Sequence, residues 1–122
     1  MATFTKVLLS GSTQGKAVKV AATTSGSAGT TIHATGTSSS IIDEVWLYAY
    51  NSASTATALT IQWGGVTAVD NEVKITIPPV SGLTLAIPGL IITGTGSAAN
   101  TVAAYAGTTN VITVSGYVNR IS

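Results

Sequence analysis

The chemistry available to this sequence depends first on His33, the only histidine in its 122 residues. A serine triad needs a base such as histidine held by an acidic partner, and His33 stands in low-complexity sequence without an acidic residue close by. A catalytic zinc site needs about three protein ligands, which one histidine, four carboxylates and no cysteine supply poorly. We interpret His33 as a loop or edge-strand histidine, and we expect no catalytic residue and no metal site.

The four carboxylates form two pairs, Asp43 with Glu44 and Asp70 with Glu72. Paired carboxylates can hydrolyse glycosides when they are suitably spaced, and they can bind calcium together with carbonyl oxygens. However, Asp43 and Glu44 stand at the entrance of an extended run, and Asp70-Asn71 is typical of an Asx turn before a strand. Structural roles are therefore favoured for both pairs.

A glycine-rich motif follows an apolar run at residues 90–99, LIITGTGSAA, and matches the Gly-x-Gly-x-x-Ala dinucleotide fingerprint. That fingerprint requires a helix that begins at the glycines and an acidic residue about 20 positions further on. The segment that follows is short and interrupted by Gly107, and no Asp or Glu occurs after Glu72. We interpret the motif as a hairpin loop and expect no cofactor.

Composition narrows the possible partners. Charged residues are 7% of the chain, against about 25% in typical domains, and the net charge of +1 offers no basic patch for nucleic acid. The most apolar stretch, residues 83–92, is interrupted by Pro88 and Gly89 and is shorter than the roughly 20 residues of a spanning helix. We therefore expect neither nucleic acid nor membrane as a partner. A surface of Thr, Ser, Asn and Gln repels other copies weakly, which suits an assembly.

Short extended runs with period-2 alternation account for most of the chain, and no 3.6-residue apolar stripe persists. Within the small polar stretch 23–40, only residues 30–34 can pair as a strand. Residues 88–89 are predicted to form a turn, followed by a short buried run at 90–93. We predict a single all-β domain over residues 1–122. Its architecture is an antiparallel, jelly-roll-like β-sandwich of eight or nine short strands.

Residues 44–65 are predicted to form the central β-hairpin of this sandwich. Trp46, Tyr48 and Tyr50 share one face of its first strand, which should be central or covered on both sides. Trp63 lies beside apolar neighbours and is assigned to the core. For the other three aromatic residues, core packing, a sugar-binding platform and a subunit contact all remain open.

Four strings of sequence, at residues 6–23, 44–65, 73–83 and 110–122, together resemble small virion proteins of tailed bacteriophages that are regarded as capsid decoration or cement proteins. The resemblance covers most of the chain outside residues 23–40. It implies a structural, non-enzymatic β-sandwich that is made in the host cytoplasm. On the virion it would bind the outer surface of the major capsid protein shell, as a homotrimer or homodimer.

The expected partner contacts are Phe4, Lys6, His33, Tyr48 and Tyr50. The N-terminal segment 1–12 and the loop 23–40 are expected to act as arms, because loops of this length are usually functional or disordered and an extended segment can add to a sheet edge. The alternative is a tail-fibre or receptor- and glycan-binding β module of a phage. A small hydrolase is disfavoured because acid–base groups are scarce.

Overall fold

A computed structural model describes residues 2–122, which form nine β-strands in two antiparallel sheets. The prediction of an all-β sandwich of eight or nine strands is confirmed. The five-stranded sheet has the order β1-β9-β4-β7, with β2 also paired to β9, and the four-stranded sheet has the order β3-β8-β5-β6. The strands are β1 (Phe4–Leu8), β2 (Val18–Lys19), β3 (Thr30–Ala34), β4 (Ile42–Asn51), β5 (Thr57–Trp63), β6 (Glu72–Ile77), β7 (Thr84–Thr93), β8 (Thr101–Ala106) and β9 (Ile112–Ile121).

The strand order is that of a jelly roll. β1 and β2 lie one after the other along β9, so they act as a single interrupted strand. The chain changes sheet at every later connection except the one between β5 and β6. Two four-membered layers joined by such crossings make the eight-strand jelly-roll sandwich, as predicted.

The predicted hairpin at residues 44–65 is wrong. β4 pairs with β7 and β9, whereas β5 pairs with β6 and β8 in the other sheet. The buried Asn51 side chain directs this crossing: its Nδ2 donates to the carbonyls of Thr55 (2.9 Å) and Ile77 (3.0 Å), and its Oδ1 accepts from the Ala53 amide (2.9 Å). The two strands therefore lie in opposite sheets. The expectation that β4 is central is confirmed.

The core lies between the inner faces of the two sheets. Alternate residues of β4 point inward and are fully buried, as the period-2 pattern requires. Trp63 packs against this core, as predicted. The largest fully buried apolar side chains are Leu9, Val20, Ile32, Val45, Leu47, Leu59, Ile61, Ile77, Ile87 and Ile112.

The predicted turn at Pro88-Gly89 and the predicted buried run after it are both wrong. β7 continues through these residues, and its register with β4 shifts at two places along the pair. A bulge is tolerated here because β7 is an edge strand, where a proline without an N–H costs no ladder hydrogen bond. Gly89 has φ +76°, and a Cβ there would lie 2.7 Å from the Trp46 ring. Leu90 and Ile91 are exposed.

Both segments predicted to be arms contact the sheets. Residues 23–29 pack on the outer face of the four-stranded sheet, where Gln62 accepts from the Gly29 amide and donates to the Ser27 carbonyl, each at 2.8 Å. Residues 30–34 form β3, as predicted. In the N-terminal segment Met1 lies outside the described residues, residues 4–8 form β1, and residues 9–11 run along the edge of β3.

Candidate functional site: an aromatic sheet face

Four of the five predicted contact residues lie on one surface, the outer face of the five-stranded sheet. Directly opposed residues of antiparallel strands share a face. The register places Phe4 and Lys6 of β1 on the same side as Tyr48 and Tyr50 of β4, through their partners on β9. We name this surface the aromatic face. Its main side chains are Phe4, Lys6, Leu8, Trp46, Tyr48, Tyr50, Leu85, Ile91 and Tyr117.

The centre of the aromatic face is held rigid by contacts among its own side chains. Trp46 and Tyr117 stack with their ring centroids 6.4 Å apart, and the Lys6 ammonium lies 4.8 Å from the centroid of the Tyr117 ring. The Trp46 indole N–H donates to the Glu44 carboxylate at 2.6 Å, and Gly89 leaves room for the indole ring. Such preordered aromatic rings lose little conformational freedom when a partner covers them.

Large apolar side chains stand exposed around this centre. Phe4 is 72% exposed, Leu8 is 56% exposed and Ile91 is 61% exposed. A soluble monomer rarely exposes a large contiguous apolar patch, and an exposed patch bordered by polar residues marks an interaction surface. Aromatic residues are also enriched at the centres of protein–protein interfaces. The aromatic face resembles such a centre in its aromatic and apolar side chains, and it also carries the charged side chains of Lys6, Lys19 and Glu44.

His33 does not belong to the aromatic face. It lies on β3, an edge strand, as the sequence interpretation expected, but its side chain is 0% exposed. Its Nε2 is 2.8 Å from Asp43 Oδ2, and Arg120 donates to the same carboxylate from Nε (2.7 Å) and Nη2 (2.9 Å). A direct partner contact by His33 does not fit this position. The role of His33 is to join β3 of one sheet to β4 and β9 of the other.

The acidic partner of His33 could not be predicted from the sequence. Asp43 reaches His33 because the two sheets pack against each other, and the two residues are not close in sequence. Ser10, His33 and Asp43 are the residue types of a serine triad, but their geometry differs. His33 Nδ1 accepts from the backbone N–H of Ser10 (3.1 Å), while the Ser10 hydroxyl accepts from the Ala34 amide (2.7 Å). Both ring nitrogens are therefore occupied, and the Nε2–H tautomer satisfies both hydrogen bonds. The cluster is arranged to hold backbone and not to activate a hydroxyl.

The charges of this cluster stabilise each other. Burial raises the pKa of the Asp43 carboxyl, but the hydrogen bonds from Arg120 and His33, together with the positive charge of Arg120, outweigh burial and hold that pKa below its ordinary value of 3.8. The hydrogen bond to Asp43 raises the pKa of the Arg120 guanidinium. The pair is thus ionised at neutral pH, and its three hydrogen bonds satisfy the carboxylate.

This pKa shift predicts how acid affects stability. A carboxyl whose pKa is lower in the folded than in the unfolded chain contributes stability above its unfolded pKa, and that contribution is lost as the pH falls through its folded pKa. The free energy of unfolding should therefore decrease from pH 5 towards pH 2. Urea titrations of the native protein and the Asp43→Asn variant measure this. The difference in the free energy of unfolding between the native protein and the variant should shrink as the pH falls. A constant difference would contradict the lowered pKa of Asp43.

The other sequence-predicted groups have structural partners. Glu72 accepts from the Tyr105 hydroxyl at 2.7 Å. In the turn at residues 67–71, the capping side chain is Asn71 and not Asp70, since Asn71 Oδ1 accepts from the Thr67 amide (3.2 Å). Within residues 2–122 no group of three or more His, Cys, Asp or Glu side chains could hold a metal ion. The same residues contain no helix of the length and hydropathy needed to cross a membrane.

The glycine-rich motif connects β7 to β8 in the other sheet, so it is not the predicted hairpin loop. The amides of Gly94 and Gly96 donate to the carbonyls of Ser38 (3.0 Å) and Thr37 (2.7 Å). Since these N–H groups already have acceptors, the loop is not arranged to cradle a phosphate. A cleft of about 200 Å³ lies nearby, lined by Ala28, Gln62, Gly64, Gly65, Val66, Ala99, Asn100, Thr101 and Ala103.

Comparison with known proteins identified no relative, since no family model, curated protein or solved structure matches the chain. The function of the chain is therefore inferred from the aromatic face and from the resemblance carried by the sequence.

Proposed function

We propose that this chain is a structural virion protein of a tailed bacteriophage, a capsid decoration or cement protein that binds the outer surface of the assembled head and stabilises it. The observation that supports this most is the aromatic face, the single sheet face that carries Phe4, Lys6, Tyr48 and Tyr50. The sequence predicts these four residues as capsid contacts together with His33, which is buried and lies elsewhere. The protein acts by adhesion and catalyses no reaction.

Several physical features suit that role. A sheet face whose aromatic rings are held in place by one another fits a broad protein surface, and it needs little rearrangement on binding. The few charges leave neighbouring copies on a shell with weak mutual repulsion. Binding as a homotrimer or homodimer at a symmetry axis of the major capsid protein adds affinity through repetition, because linked copies bind together. The protein would then be located on the virion surface.

The alternative role, a glycan-binding or tail-fibre module, has less support from the structure. A sugar site needs polar side chains with free hydrogen-bonding groups directed into a cleft. In the cleft beside the glycine-rich loop, the amide of Gln62 bonds to the backbone of residues 27–29, and Asn100 Nδ2 donates to the Thr93 carbonyl at 2.7 Å. Both amides therefore serve the fold.

A lysine placed on the aromatic face tests the proposal. Leu85→Lys should weaken binding to heads lacking this protein by about 10- to 100-fold, because an unpaired ammonium would have to be buried in the contact. The measurement is co-sedimentation of the purified protein with heads from the virus that encodes it. Thr76→Lys, an exposed position on the opposite sheet, is the matched control and should bind normally. Heads that bind neither the native protein nor the control, or that bind the Leu85→Lys variant normally, would contradict the proposal.

A further inference from the structure

The free edge of β1 carries an unused row of backbone hydrogen-bonding groups. Thr3 and Ser122 exchange both of their N–H and C=O hydrogen bonds, at 2.8 and 3.0 Å. Such pairs alternate with non-bonded pairs along an antiparallel ladder. Phe4, Lys6 and Leu8 therefore direct their N–H and C=O groups away from β9, and β1 pairs with no other strand among the described residues.

The other sheet edges differ from β1. The edge of β3 is covered by residues 9–11, since Gly11 N–H donates to the Ile32 carbonyl at 2.9 Å. β7 contains Pro88 and two shifts of register, features that discourage strand addition. β6 is a regular edge strand. The residues whose N–H and C=O groups point away from β5 include Glu72 and Lys74, and none of them has a large apolar side chain.

β1 combines its open edge with exposed apolar side chains. Phe4 and Leu8 flank Lys6 on the aromatic face, and the edge has neither proline nor bulge. An added strand would gain main-chain hydrogen bonds and would also cover these two side chains. It would extend the five-stranded sheet and continue the aromatic face by one strand.

The charge of Lys6 indicates which strand fits. An antiparallel pairing of β1 with a second copy of itself that uses all three outward residues places one Lys6 directly opposite the other, and like charges at opposed positions are destabilising. A strand with a carboxylate at that position would instead form a favourable cross-strand pair. The edge is therefore suited to a different chain and unsuited to self-association.

We propose that β1 receives an extended segment of the capsid protein as an added strand, with an acidic residue opposite Lys6 and apolar or β-branched residues opposite Phe4 and Leu8. This inference rests on the proposed function, and it specifies how the contact is made. The partner contributes backbone as well as side chains, so the contact depends on N–H groups that no ordinary side-chain substitution removes.

Two substitutions at position 6 distinguish the contribution of the backbone N–H from that of the charged side chain. Lys6→Thr removes the charge and keeps the N–H, whereas Lys6→Pro removes both. Proline is tolerated at an edge position whose N–H faces away from the sheet, and thermal unfolding checks that both variants are folded. In co-sedimentation with heads lacking this protein, Lys6→Pro should bind about tenfold or more weakly than Lys6→Thr, since the partner's carbonyl loses its donor. Lys6→Thr itself should bind only a few-fold more weakly than the native protein.

A second measurement does not depend on the folding of any variant. Hydrogen exchange of the native protein should show that the amides of Phe4, Lys6 and Leu8 exchange quickly in the free protein and become protected on heads. Heads that bind the native protein while these amides stay unprotected, or while the two Lys6 variants bind alike, would overturn the strand addition and leave the proposed function standing. Heads that do not bind the native protein would overturn both.

Discussion

The Asp43→Asn variant is expected to lose about 3 kcal/mol of the free energy of unfolding at pH 7. Removing one partner of a buried ion pair usually costs 3–5 kcal/mol or so, because the other charge stays buried without compensation. We expect the lower end of that range, since the Arg120 side chain is 34% exposed and water can reach it. Urea unfolding followed by tryptophan fluorescence measures the change.

Asp70→Asn provides the control for this substitution. It makes the same chemical change at an exposed position in the loop between β5 and β6, where a surface substitution alters stability by about 0.5 kcal/mol or less. If both variants unfolded at the same urea concentration as the native protein, the cluster of His33, Asp43 and Arg120 would not be holding the two sheets together.

Gly116→Ala is expected to be at least as damaging, with a loss of about 4 kcal/mol or a failure to fold. Gly116 has φ +153°, and a Cβ there would overlap the carbonyl oxygen of Trp46 on the adjacent strand. The backbone strain and the overpacking each cost about 1–3 kcal/mol. Neither can relax easily, because β9 lies between β1 and β4. Circular dichroism during thermal unfolding measures the loss.

Gly36→Ala is the matched control, since a Cβ at that position meets nothing within 4 Å and the backbone there is unstrained. It should leave the melting temperature within a few degrees of the native value. A Gly116→Ala protein that melts with the control would show that β4 and β9 can separate enough to admit a methyl group at little cost.

The sequence allowed the strands to be predicted because each strand carries its own pattern. Alternation of apolar and polar residues identified β6, and the short run of pairing residues within the polar stretch 23–40 identified β3 at its observed bounds. With no helical period anywhere, the sandwich was the remaining architecture. These signals are local, so they can be recognised from neighbouring residues alone.

The errors concern contacts between residues that are distant in sequence. Two adjacent strands joined by small polar residues suggest a hairpin, but the Asn51 side chain bonds to Ile77 and directs the chain into the other sheet. Pro88-Gly89 is a common turn pair, yet it forms a bulge here because β7 has a neighbour on one side only. Strand composition does not reveal whether a strand will lie at an edge.

The candidate site could also be predicted only in part. Alternation placed Tyr48 and Tyr50 on one face of β4, but the register with β9 was needed to bring Phe4 and Lys6 onto that same face. The sequence placed His33 on an edge strand but could not predict its burial, for the same reason. Its partner Asp43 lies on a strand of the opposite sheet, and the burial of both depends on how the sheets pack.

The position of β9 between β1 and β4 has a consequence for synthesis. Of the strands described, β9 is synthesised last, and until it leaves the ribosome β1 and β2 have no partner strand and β4 can pair only with β7. In the nascent chain the edges of these strands therefore remain unpaired, and native pairing can be completed only after β9 has been translated. Folding dominated by such distant pairings takes milliseconds to seconds, long enough for a chaperone to bind the growing polypeptide.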